Sequence, residues 1–322
     1  MTRLPGPVGV IAGGLSHERD VSLASGRVLA GELRDQGLDV QLLDFDTALV
    51  DRLRGGDLAV AFPALHGRGG EDGEIQSLLE LLGMPFVGSS SSSCRLTWDK
   101  TVARTVLERA GVPVPSALSF SAQTFRDVGP GHLMPIVLER LGADLVVKPT
   151  ESGSALGISA VHDAPSLSEA LVTCFAYGDA ALIEEFVHGI DVSVAVVAPD
   201  GEPRALEPVS VAFDAGHEMD YAGRYSPELM SVQSPAGLPA GTLDALKEMA
   251  LTAHRELGLR DLSRSDFKVR DDGTFVLLET AITPGLTETS LFRIACTTSG
   301  HPLGEVARDL VVTAVSRQRP AE

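Results

Sequence analysis

The sequence predicts an α/β opening followed by a mixed α+β remainder with antiparallel strands. Three observations carry this. A β-branched run, VGVIAG at 7–12, ends in Gly13-Gly14 and precedes helical spacing. A third apolar run leads into the glycine-rich stretch HGRGGEDG. From Leu182 onward alternating strands dominate and end on a hairpin signal, Asp272-Gly273.

Taken in order, the run at 7–12 reads as a strand, Ser22 to Leu33 as a helix, and Val40 to Leu43 as a second strand, which makes a βαβ unit. Leu58 to Phe62 is the third strand and Ile75 to Leu82 the helix behind its glycine-rich loop. Residues 1–95 are therefore expected to form a doubly wound α/β domain with its ligands at the carboxyl ends of the strands. The serine run at 89–93 reads as a flexible connection or a tight turn. From Lys100 the pattern is helix, proline punctuation at Pro113 and Pro115, then a strand at Leu145 to Lys148, giving a second unit over 96–180. The third unit, 181–322, holds the strands LIEEF, VSVAVVA and LEPVSVAF and the hairpin.

With 322 residues, 44% hydrophobic and 22% charged, the chain is long and apolar enough for two or three packed domains. A net charge of -18 leaves no basic stripe for a nucleic acid, so phosphate must be held by a few placed cations. No run approaches the roughly 20 apolar residues that span a bilayer, and the N-terminus lacks a signal-peptide pattern, so a cytoplasmic protein with no membrane partner is expected. Cys94, Cys174 and Cys296 are widely spaced, form no metal motif and read as packing residues.

The hairpin LSRSDFKVRDDGTFVLLETAITPG carries the most chemistry. A two-residue turn at Asp272-Gly273 sets Asp271 against Thr274, Val269 against Val276, Phe267 against Leu278, Asp266 against Glu279 and Arg264 against Ala281. Phe267, Val269, Val276 and Leu278 then share a core face, while Asp266 and Glu279 oppose each other at about 5 Å. Such a pair repels unless a cation lies between, and Mg²⁺ suits it. The alternatives are acids pointing into water, or neutralised by Arg264 and Lys268. Upstream, VVKPTESGSALG places Lys148 at a strand end before an amide-rich loop that could wrap phosphate, or be a plain turn. Glu184 and Asp191 in LIEEFVHGIDVSV could hold an adenine and a ribose, or be surface acids.

The segments GGLSHERDVSLASG, ALHGRGGEDGEIQSLLELLGMPFVGS, WDK, VVKPTESGSALG, LIEEF, DYAGRY, RSDF and LLETAITPGLTETS together resemble, in order, the signatures of D-alanine:D-alanine ligases of the ATP-grasp superfamily, from about residue 8 to 315. The resemblance implies a preATP-grasp domain followed by a two-part ATP-grasp fold. It implies ligation of two D-amino acids by ATP with Mg²⁺, through an acylphosphate, giving a dipeptide for peptidoglycan. Carried over by position, Lys100 and Lys148 would meet the nucleotide phosphates, Glu184 and the backbone through Val187 the adenine, Asp191 the ribose, and Asp266 and Glu279 the Mg²⁺. Arg264 and the Gly285 amide would face the oxyanion. Glu18 would pair with the first ammonium with His66 nearby, and Ser290 would contact the second carboxylate. Glu18, Ser154 and Tyr225 would close a lid. Taken alone, His66 reads as a packing histidine, Tyr225 as an exposed aromatic and Ser290 as a helix N-cap. A homodimer is also implied.

The chain departs from the family pattern at Ala281, where asparagine usually completes a two-magnesium site, so one ion or two remain open. Arg224 replaces a lysine and Asp191 a glutamate, preserving charge. Two functional classes follow: an active ligase, housekeeping or of secondary metabolism, and a nucleotide-binding homologue without catalysis.

Overall fold

The computed structural model describes residues 4–213 and 230–317, and contains three sheets. In the first, β1 (Val8–Ala12) lies between β2 (Val40–Asp44) and β3 (Val60–Pro63), parallel to both. Helices α1 (Arg19–Asp35) and α2 (Leu49–Arg54) provide the crossovers, and α3 (Glu74–Leu81) follows β3. β1 and β3 are short and wholly buried, as parallel strands covered on both faces require, whereas β2, at the sheet edge, buries only Val40 and Leu43. The doubly wound opening is as expected.

The serine run is neither tether nor turn. Ser90 caps α4 (Ser91–Trp98), its hydroxyl accepting from the Ser93 amide, because serine satisfies an orphan N–H at a helix start. Asp99 then caps α5 (Lys100–Arg109) by accepting from the amides of Thr101 and Val102. Back-to-back caps fix the direction of α5, and with it Lys100.

The second sheet is antiparallel, in the order β4 (Ala117–Ser121), β7 (Ala180–Glu185), β5 (Leu145–Pro149), β6 (Ser159–Val161). Helices α6 (Ala122–Val128), α7 (Pro130–Leu141) and α8 (Ala164–Phe175) accompany it. The third sheet runs β11 (Met230–Gln233), β10 (Val209–Phe213), β8 (Ile190–Val197), β12 (Leu262–Val269), β13 (Phe275–Ala281), with β9 (Arg204–Ala205) paired to β8. Helices α9 (Ala240–Glu256), α10 (Leu291–Thr298) and α11 (Leu303–Ser316) complete the chain.

One face of β8, β12 and β13 is core: Val192, Val194, Val196, Phe267, Val269 and Leu277 pack with α9 and with Ala103 and Leu107 of α5. A separate core joins β1, β3 and α1 to Ala195, Leu262, α10 and α11, so the parallel sheet and the third sheet meet through shared apolar side chains. Cys94, Cys174 and Cys296 are fully buried, and burial pushes each thiol up to about 12.

The hairpin corrects the expected register in two places. Its loop has three residues, Asp271 to Gly273: the Arg270 amide donates to the Thr274 carbonyl, and Gly273 takes the left-handed conformation with φ +83°. Phe267 therefore faces Leu277 and Val269 faces Phe275. A β-bulge between Asp266 and Phe267 then restores the expected pairing, Asp266 with Glu279 and Arg264 with Ala281. The cause is parity. With Phe275 and Leu277 pointing into the core, an unbulged strand would send Glu279 there too, and burying a carboxylate in apolar surroundings is prohibitive. Leu278 absorbs the extra residue and turns out of the core. The Leu277 amide donates to the Pro113 carbonyl at 2.7 Å, so this donor at the bulge is met.

Candidate active site

Because strand residues alternate faces, the other side of the third sheet carries Asp191 and Ser193 on β8, Arg264, Asp266 and Lys268 on β12, and Glu279 and Ala281 on β13. Direct cross-strand pairs set their contacts. Lys268 faces Asp191 and binds it at 2.7 Å. Ser193 faces Asp266 and donates to its Oδ1 at 2.6 Å. Arg264, two residues along the same strand, donates from Nε and Nη2 to the two oxygens of Asp266 at 2.8 and 2.7 Å. Burial works against the Arg264 charge, but Asp266, with Glu279 behind it, more than offsets this and holds the guanidinium above its usual value.

The second sheet brings a further cation. Lys148 faces Leu182 on β7, so Glu184, two residues on, presents its carboxylate on the same face. The two form a buried pair at 2.6 Å, and Lys148 also lies 3.5 Å from the Leu278 carbonyl. Lys100 reaches the Ser152 carbonyl at 2.5 Å, and its own amide donates to the Thr150 carbonyl. Burial pushes its ammonium below the usual lysine value, against the pull of Glu279.

Two adjoining cavities meet at Glu184, Ser193, Asp266, Leu278 and Glu279. One, of about 430 Å³, lies between the second and third sheets and is lined by Lys148, Phe186, Val187, Asp191 and Lys268. The other, of about 200 Å³, runs toward the first sheet and is lined by Glu18, His66, Lys100, Ser154, Arg264, Ala281, Gly285 and Ser290. The structure thus gathers every sequence-selected site residue around one connected space, except Tyr225, which with Arg224 lies outside the described residues.

On the first-sheet side, Gly13 and Gly14 wrap the end of β1: the Gly13 amide donates to Ser22, the Gly14 amide to Asp44, and Arg19 pairs with Asp44. That loop delivers Glu18 to the start of α1, buried at 5% exposure. Its carboxylate rests against Gly67 and Gly153. A Cβ on Gly67, whose φ is +70°, would lie 2.0 Å from Glu18 Oε2. Ser154 donates to Glu18 Oε1. Ser154 and Ala155 both hold positive φ, of 48° and 59°, a strained arrangement for side-chain-bearing residues that concentrates at functional loops.

His66 is bound by Ser25 at 2.9 Å and stands 3.9 Å from Glu71. Ser25 also accepts from the Leu286 amide, tying the Gly285 segment to α1. The Ser290 hydroxyl accepts from the Arg293 amide as the N-cap of α10 while facing the cavity. Sequence reasoning missed Ser193, Ser25, Glu71 and Arg104. Ser193 was accessible from its i+2 relation to Asp191 on a half-buried strand, and Arg104 from its i+4 relation to Lys100. Ser25 and Glu71 had no comparable signal.

Residues 106–312 match the family described as D-ala D-ala ligase C-terminus, and residues 49–89 that described as D-ala D-ala ligase N-terminus. The D-alanine--D-alanine ligase of Desulforamulus reducens is 35% identical over 314 residues, covering 96% of this chain and 99% of its own length. That of Anaeromyxobacter sp. (strain K) is 38% identical over 88% of this chain and 89% of its own. Among solved structures, D-alanine--D-alanine ligase from Bacillus anthracis superposes with a TM-score of 0.81 at 25% identity, covering 97% of this chain and 98% of that one. VanG D-Ala:D-Ser ligase from Enterococcus faecalis shares the fold at 0.81 and 24% identity, over 96% and 99%. Sheets that close on a cation-lined cavity, in a chain matched over nearly its whole length by such relatives, define an ATP-grasp enzyme, an ATP-dependent carboxylate–amine ligase. Within that class the chain belongs to the D-alanine–D-alanine ligase family.

Proposed function

We propose that the protein joins D-alanine to D-alanine with ATP, through an acylphosphate, and supplies the dipeptide to peptidoglycan synthesis. The observation that carries this reading is the Asp266–Glu279 pair at the meeting of the two cavities, where a nucleotide phosphate from one side and an amino-acid carboxylate from the other would come together.

In this reading the larger cavity takes the nucleotide, with Val187 and Glu184 on adenine, Asp191 on ribose and Lys148 and Lys100 on the phosphates. Glu18 receives the first ammonium, and the Glu18–Ser154 contact holds the loop after β5 over the reacting carboxylate. That carboxylate attacks the γ-phosphorus and ADP leaves; the second amine then attacks the acyl carbon and phosphate leaves. Arg264 and the Gly285 amide oppose the oxyanion charge, and Ser290 steadies the second carboxylate. Asp266 and Glu279 offer the hard oxygen donors Mg²⁺ prefers. No group of three or more His, Cys, Asp or Glu suited to a metal occurs among the described residues, so phosphate oxygens and water would fill the remaining positions. Magnesium bound there would neutralise the transferring phosphoryl group.

A homodimer in the cytoplasm belongs to the same reading; among the described residues no helix is long and apolar enough to cross a membrane. The division at about residues 95 and 180 into a substrate-side domain and two ATP-grasp subdomains is part of it too. Ala281 favours a second reading, a nucleotide-binding homologue with impaired catalysis. Amino-acid-dependent ADP release separates the two. Turnover with D-alanine is expected, lost in Glu279→Gln while ATP still binds. No release above background with any D-amino acid would leave only the second reading.

A further inference from the structure

Arg104 is one helical turn beyond Lys100 on α5, and both line the smaller cavity. Its Nη2 binds Glu108 at 2.6 Å, leaving its side chain 16% exposed. Its Nη1 is fully buried and has no hydrogen-bond partner among the described residues. The nearest carboxylate oxygen recorded for it is Glu184 Oε1, at 3.9 Å, close enough for attraction and too far for a hydrogen bond. Glu184 Oε2 meanwhile holds Lys148 at 2.6 Å. One buried carboxylate thus lies between an ammonium that it already binds and a guanidinium with an unspent N–H.

That arrangement is balanced only while Lys148 stays with Glu184. Arg264 is committed to Asp266 and Lys268 to Asp191. A polyphosphate entering the cavity draws on Lys148, which then divides its charge between the ligand and Glu184. Glu184 is 4% exposed, and a buried carboxylate short of its counter-charge is strongly destabilising. An unmet buried N–H carries its own penalty. A closure of Arg104 onto Glu184 by about 1 Å, from the observed separation to ordinary hydrogen-bond length, removes both defects.

We infer that Arg104 is a positioning residue of the nucleotide site: it takes over Glu184 when Lys148 turns to the phosphates, and so keeps the Glu184 carboxylate fixed against the base. The inference rests on the nucleotide reading above and adds to it a handover of one carboxylate between two cations.

Calorimetric titration of the full-length protein with ATP tests both levels. No binding by the wild type would overturn the nucleotide reading itself. Given wild-type binding, Arg104→Met is expected to weaken ATP about 10- to 100-fold, the worth of a hydrogen bond to a charged group. Arg104→Lys should recover most of the loss, and the KM for D-alanine should stay unchanged. In a Glu184→Gln background Arg104→Met should cost nothing further. Wild-type affinity in Arg104→Met, or an equal loss with Glu184→Gln, would overturn the handover. A structure with nucleotide bound needs no variant: Arg104 Nη1 should lie within about 3.2 Å of Glu184 Oε1, and a separation still at 3.9 Å would refute the closure.

Discussion

At Ala281 a single methyl group faces Arg264 across the hairpin, on the same face as Glu279. It adds no oxygen donor where the family pattern places an amide carbonyl. Loss of one supporting contact of this kind commonly costs about 10- to 100-fold in metal affinity or activity. The free Mg²⁺ needed for half-maximal turnover should therefore be high in the wild type and fall in Ala281→Asn; superimposable magnesium titrations would mean that water already completes the site. The residues easiest to find from sequence were those whose chemistry is expensive to hide. Asp266, Glu279 and Lys148 announced themselves as charges inside apolar strands. Ser193 and Ser25 did not, because a hydroxyl is cheap to bury wherever one partner is at hand, as Asp266 and His66 are here.

The hairpin shows how an element can be misread and still point to the right place. A two-residue turn without a bulge and a three-residue turn with one bring the same two carboxylates together, since the two shifts cancel beyond Phe267. Pattern alone cannot distinguish them, because Leu277 and Leu278 are identical in type. They differ in what they touch: Leu277 is 3% exposed, packs in the core and borders only the smaller cavity, whereas Leu278 lines both cavities. Leu277→Ala should cost about 2–5 kcal/mol of stability, as core truncations do. Leu278→Ala should leave stability nearly intact and raise the KM for ATP. Denaturant unfolding of the two variants checks this, and equal losses would favour the unbulged register. The serine run was illegible for a related reason: composition marks it as loop-like, while its role depends on Ser90 capping a helix whose burial is set by distant residues.

For the molecule as a whole, pH acts through a group remote from the chemistry. His254 on α9 is 2% exposed, bound to Ser263 at 2.8 Å, and burial pushes its pKa down to about 4 from 6.5. Above pH 6.5 the imidazole is neutral folded or unfolded and exerts no pull. As pH falls from 6.5 toward 4 the unfolded chain takes up a proton that the folded one refuses, so stability drops, by about 3 kcal/mol at most. His254→Gln should flatten that part of the stability profile, and an unchanged slope between pH 6.5 and 4.5 would assign the effect to other groups.

The bond from the Leu277 amide to the Pro113 carbonyl joins the β12–β13 hairpin to the segment that leads from α5 into the second sheet. With the Lys148 contact to the Leu278 carbonyl, it stitches together two layers that face each other across the larger cavity. Any breathing of the cleft must turn about that stitch, which makes it a pivot. A pivot moves least, so in amide hydrogen exchange Leu277 should stay protected for as long as the global fold persists. Amides at the free edge of β6, such as that of Ala160, should exchange through small openings. Fast exchange at Leu277 would mean that the layers part there first and that the cleft opens from the opposite side.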